Sequence, residues 1–211
     1  MATGSTLESE PESGKVAGED RLLTIPNIIS IIRLACLPLF LYLLFGRDNR
    51  AAAASLLAAL GCTDWIDGYI ARHFDQVSEL GKILDPVADR LLFFIGVGGI
   101  VVDHSCPLWF AVAVLFREIV VAVATVVLAA LGARRIDVTW FGKAGTFGLM
   151  VAFPLFLASH STLGWRDSAA WLAWVAAVPG LVFSYTAMAM YVPLGLKALR
   201  EGRADRAAAP A

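Results

Sequence analysis

The chain has 211 residues, of which 58% are hydrophobic and only 17% charged, with a formal net charge of −1. Soluble domains carry roughly 45–50% apolar and about a quarter charged residues, so the balance excludes an ordinary water-soluble domain. Near-neutrality excludes a nucleic-acid binder.

The first twenty residues are polar, acidic and rich in Gly and Ser, without the basic start and apolar core of a signal peptide. They read as a disordered cytoplasmic tail, 1–20. A membrane domain follows over 21–197. Its apolar blocks predict an all-α polytopic bundle of six transmembrane helices, since a bilayer core needs roughly 20 apolar residues per span. The predicted spans are 26–45, 51–73, 80–102, 107–131, 141–158 and 168–194. Pro26 suits a first helical turn. Pro154 and Pro179 are expected to kink the last two spans, which membrane bundles tolerate. Residues 198–211 are expected to fray into a cytoplasmic tail. Eleven lysines and arginines, from Lys15 to Arg206, fall on one side of this arrangement, against Arg47, Arg50 and Arg166 on the other. The bias predicts that both termini are cytoplasmic. Arg33, Arg90 and Arg117 fall inside or near spans. The cysteines, Cys36, Cys62 and Cys106, form no CxxC pair or disulfide framework and read as small buried apolar side chains.

Charge concentrates at the cytoplasmic ends of the second and third spans. Asp64 and Asp67 are three apart and Asp85 and Asp89 four apart, so each pair shares a helix face. A turn near 75–79 makes the two helices antiparallel neighbours whose pairs can face each other. Even one charge at mid-bilayer costs about 3 kcal/mol, so four carboxylates need compensation. Two divalent cations supply it, and an all-oxygen set suits Mg²⁺, Mn²⁺ or Ca²⁺. Paired metals about 4 Å apart serve in-line displacement at phosphorus. The absence of His and Cys argues against zinc.

The pattern D-x2-D-G-x2-A-R-x8-G-x3-D-x3-D, carried by Asp64, Asp67, Gly68, Ala71, Arg72, Gly81, Asp85 and Asp89, resembles the signature of the CDP-alcohol phosphatidyltransferase family. The resemblance extends over about residues 22–195. It implies that Asp64, Asp67, Asp85 and Asp89 hold two divalent ions, Mg²⁺ or Mn²⁺, and that Asp89 is also the general base. It implies that Gly68, Arg72, Ser78 and Gly81 bind the CDP-lipid. The opening Pro26-Asn27-x5-Arg33 is similar to the family's first helix, with Asn27 and Ser30 placed for the nucleotide-lipid. Gly68 and Gly81 could equally serve helix packing, Arg72 could anchor at the interface, and Arg33 could snorkel.

The acceptor is the open question. Ile25-Pro-Asn-Ile-Ile-Ser-Ile-Ile-Arg33, Leu84-Asp-Pro-Val-Ala-Asp-Arg90, Arg117-Glu118-Ile119 and Gly142-Lys143 resemble the phosphatidylglycerophosphate synthase branch and the related actinobacterial cardiolipin synthases of CDP-alcohol type. Glycerol 3-phosphate is the expected acceptor and phosphatidylglycerol the alternative. Arg33, Arg117 and Lys143 are candidates for the acceptor's phosphate. An Arg117–Glu118 structural pair and an interfacial lysine are the other readings. Gly142-Lys143 lacks the glycine spacing and the Ser or Thr of a P-loop. A transporter is the rival class, since membrane carboxylates also mark ion paths, although these aspartates lie away from the midplane. Gly96, Gly98 and Gly99 offer either a homodimer face or intramolecular packing.

Overall fold

A computed structural model describes the backbone of residues 25–74, 79–133 and 138–208, and side chains within 28–63, 87–133 and 138–202. The expected N-terminal tail and Ser78 lie outside the described residues. Every described element is helical. The order is α1 (Ile25–Leu41), a π-helical turn (Tyr42–Gly46), α2 (Arg50–Phe74), α3 (Glu79–Val102), α4 (Leu108–Ala130), α5 (Trp140–Ser159) and α6 (Arg166–Ala208). All six predicted segments are therefore helices.

Local chemistry sets the ends. Pro38 removes one backbone donor inside α1, and the helix widens into the π turn a few residues later. That turn closes at Gly46, where a Cβ would stand 2.8 Å from the Tyr42 ring. Asn49 opens α2 by accepting from the Ala52 N–H at 3.0 Å. Thr139 caps α5 by accepting from Gly142 at 3.2 Å. α4 stops where Gly132 takes a φ of 74°, a left-handed conformation open to glycine. At the far end, α6 continues to Ala208, past the expected boundary at residue 197. Ala, Leu, Arg and Glu are strong helix formers, and Lys197 and Glu201 pair across one turn at 3.8 Å. Helices α5 and α6 run on through Pro154, Pro179 and Pro193.

Four described stretches are long and apolar enough to cross a bilayer: Ile28–Gly46, Leu108–Ala130, Trp140–Ser159 and Arg166–Gly202. α2 supplies a shorter apolar stretch, Arg50–Thr63, before the aspartate motif begins. Large apolar side chains cover the outside; on α4 alone Val112, Phe116, Ile119, Val123 and Val126 are exposed. A surface of this kind belongs against lipid rather than water.

The interior is an aromatic stack under α5. Phe110 sits 5.9 Å from Phe153 and 5.5 Å from Phe156, and Trp174 meets Phe156 edge-on at 5.2 Å. The tightest seam joins α5 to α6. A Cβ on Gly148 would stand 3.0 Å from the Gly180 Cα, and one on Gly145 would stand 2.7 Å from the Ser184 backbone nitrogen. Small residues at i, i+3 let the two backbones approach. Gly99 faces Phe40 and Gly96 faces Leu57, so these two glycines pack inside the bundle, while Gly98 has nothing within 4 Å.

At the end away from the aspartate motif, the α1–α2 and α3–α4 connections are clamped. Asp103 is nearly buried and accepts from Arg50 Nε at 2.9 Å and Nη2 at 3.0 Å, while Asp48 accepts from Arg50 at 2.8 Å. The cysteines differ from expectation: only Cys106 is buried, Cys36 is half-buried and Cys62 exposed. Cys62 stands beside a groove between α2 and α5, where no neighbouring helix covers it.

Candidate active site

The motif residues fall on two consecutive helices. Asp64, Asp67, Gly68, Ala71 and Arg72 lie on α2, and Gly81, Asp85 and Asp89 on α3. The side chains of these residues other than Asp89, and that of Asn27, lie outside the described residues. Asp89 is described, and it is half-exposed.

Helix α1 delivers a cation to Asp89. Arg33 is only 1% exposed and its Nη1 donates to Asp89 Oδ1. The expected acceptor-phosphate candidate Arg33 is thus engaged with the expected base. Ion pairing with a buried guanidinium orients the Asp89 carboxylate. Ser30, one turn earlier on α1, is also buried.

Asp89 opens into a cavity of about 310 Å³ bounded by α2, α3, α4 and α5. Among the described residues its polar lining is Asp89, Arg90, Arg117, Glu118 and Thr146. The rest is apolar, including Leu57, Leu92, Phe93, Val97, Leu149 and Phe153. On α2 the wall reaches Gly61, one turn before Asp64, so the cavity leads toward the aspartate motif. Among the described residues no cluster of three or more ligating side chains occurs.

Arg117 is the buried cation of this cavity, 7% exposed, with Nη1 donating to Glu118 at 2.8 Å. Its Nε is buried without a hydrogen-bond partner. A buried donor left unsatisfied costs about 1–3 kcal/mol. Lys143 is exposed and does not line the cavity.

Sequence reasoning left Arg90 unassigned and missed Thr146. Adjacency to Asp89 was the available signal for Arg90. Thr146, three residues after Lys143, carried only a helical-spacing signal.

The sequence model for CDP-alcohol phosphatidyltransferase matches residues 23–182. The chain is 40% identical over 177 residues to a cardiolipin synthase (CMP-forming) of Streptomyces coelicolor, covering 82% of this chain and 79% of that protein. It is 34% identical over 204 residues to a putative cardiolipin synthase of Mycobacterium bovis, covering 92% and 95%. It is 35% identical over 156 residues to a probable phosphatidylglycerophosphate synthase of Mycobacterium tuberculosis, covering 72% and 74%.

Proposed function

The chain belongs to the CDP-alcohol phosphatidyltransferase family, and we propose on that basis that it transfers the phosphatidyl group of CDP-diacylglycerol to phosphatidylglycerol, forming cardiolipin and CMP. The observation that carries the choice of acceptor is the cavity at Asp89, charged at one end and apolar along its walls. Glycerol 3-phosphate is a small dianion that needs polar walls in place of water. Phosphatidylglycerol brings one phosphodiester charge, which the two arginines lining the cavity, Arg90 and Arg117, can match, and apolar chains for the rest. Identity to the relatives supports the same reading: it is 40% to the Streptomyces cardiolipin synthase, against 30–35% to relatives named for glycerol 3-phosphate or phosphatidylglycerophosphate. Sequence alone favoured glycerol 3-phosphate; it remains the second reading, supported by those last relatives.

In this reading Arg33 holds the Asp89 carboxylate toward the cavity. Arg117 binds the acceptor phosphate, and Asp89 takes the proton from the acceptor hydroxyl as its oxygen attacks the lipid-bearing phosphorus. The phosphorus–oxygen bond to CMP breaks. Mg²⁺ or Mn²⁺ held by Asp64, Asp67, Asp85 and Asp89 would neutralise the pyrophosphate and stabilise the departing CMP. Asn27, Ser30, Gly68, Arg72, Ser78 and Gly81 would bind the CDP-lipid. The excess of basic residues on one side supports six spans with both termini and the site cytoplasmic.

The test is CMP release by the purified protein from CDP-diacylglycerol with each acceptor offered alone. Turnover with phosphatidylglycerol is expected, with a loss of roughly 10²–10⁴ in Asp89→Asn. Turnover with glycerol 3-phosphate alone would overturn the acceptor. Activity kept in Asp89→Asn would remove Asp89 as base.

A further inference from the structure

A second cavity, of about 480 Å³, lies between α2 and α5 beyond the catalytic one. Its α2 wall includes Ala51, Ala54, Ala58 and Cys62, and its α5 wall Val151 and Leu155. No charged residue lines it among the described residues. Ala51 to Cys62 covers about 16 Å of helix axis at ~1.5 Å per residue. The groove is long, narrow and apolar.

Met150 and Pro154 line both cavities. The Met150 Cε lies 2.6 Å from where a Cβ on Gly61 would be, so the thioether lies across α2 at its glycine. The partition between the catalytic cavity and the groove is therefore formed by Pro154 and one unbranched, flexible side chain, Met150. On the catalytic side stand Asp89 and Arg117, the groups assigned above to the acceptor's hydroxyl and phosphate.

Resting on the acceptor reading above, we propose that the α2–α5 groove seats an acyl chain of the acceptor phosphatidylglycerol, which passes over Met150 from the catalytic cavity, and that Ala58 and Met150 set how long a chain fits. Continuity with the site identifies the occupant. A lipid whose headgroup is held at Asp89 and Arg117 must send its chains away from the charges, and the groove is the apolar space that adjoins them across Met150. The alanines of α2 leave it open, and a large side chain at Ala58 would close it without touching any residue of the reaction.

The experiment compares dioleoyl- and dihexanoyl-phosphatidylglycerol as acceptors for wild type and Ala58→Trp, with CDP-dioleoylglycerol as donor. The variant should lose roughly tenfold or more in kcat/KM for the dioleoyl acceptor and stay within about twofold for the dihexanoyl one, which also shows that it is folded. Equal effects on the two acceptors overturn the groove, as does a penalty that follows the donor's chain length when CDP-dihexanoylglycerol is substituted. A wild type that uses only glycerol 3-phosphate overturns the acceptor reading and the occupant with it. Wild-type geometry gives a second readout in a Cys36→Ser background. Cys62 is exposed beside the groove, whereas desolvation pushes the Cys106 thiol up to about 11 and keeps it silent toward maleimides. Dioleoyl-phosphatidylglycerol should slow N-ethylmaleimide labelling of Cys62 severalfold and the dihexanoyl lipid should not. Equal protection by both, or by neither, overturns the proposal.

Discussion

Arg117 lines the Asp89 cavity as a buried guanidinium paired with Glu118. Its Nη1 is spent on Glu118 while Nε is buried and unpartnered beside Asp89's cavity. Lysine in its place keeps the charge but loses the planar fork. Arg117→Lys is therefore expected to raise the acceptor KM roughly tenfold and leave the KM for CDP-diacylglycerol unchanged. Steady-state kinetics with each substrate varied in turn checks this, and equal changes in both would assign Arg117 a purely structural part. The placement of the four aspartates on two consecutive helices was legible in the sequence because helix periodicity is local. The Arg33–Asp89 pair was not, because its members are 56 residues apart and meet only through the packing of α1 on α3. Lys143 shows the converse. Its sequence context suggested a phosphate ligand, yet it sits in the first turn of α5, about one turn before that helix's first cavity-lining residue, Thr146.

Helix α5 is where element-scale packing is least forgiving. Gly148 lies against the backbone of α6, so a side chain there meets main-chain atoms, which cannot rotate away. Gly148→Leu should cost about 1–3 kcal/mol or more, while Gly98→Leu, with nothing within 4 Å, should leave stability nearly unchanged. Thermal unfolding of the two variants in detergent decides between them. The clamp at the opposite end gives a second contrast. Arg50→Met strands the nearly buried Asp103 carboxylate and should cost about 2–3 kcal/mol, whereas adding Asp103→Leu should recover most of the loss. Element positions were legible because apolar blocks of span length leave little choice of structure. Two features were not: the π turn after Pro38, which depends on how the chain re-forms its backbone bonds, and the extension of α6, whose charged end reads as a tail by composition but forms helix by propensity.

At the scale of the whole molecule, the outer surface is apolar and the charges gather at two ends, one with the Arg50–Asp103 clamp and one with the aspartate motif and Asp89. Chelation separates structure from chemistry here. EDTA should abolish CMP release without loss of helical circular dichroism, and Mg²⁺ or Mn²⁺ should restore activity. Turnover that persists in the chelated protein would remove the divalent ions from the reaction.

Helix α6 has one last consequence. Its 43 residues give a contour of about 64 Å at ~1.5 Å per residue, against about 40–45 Å for a bilayer with its headgroups. Even a tilt of about 40°, the steepest usual for membrane helices, leaves about 49 Å along the normal. The last turns therefore stand clear of the headgroups as a stiff post. A fluorophore near its tip would report one fixed height above the lipid surface, not the broad spread of heights that a flexible tether allows.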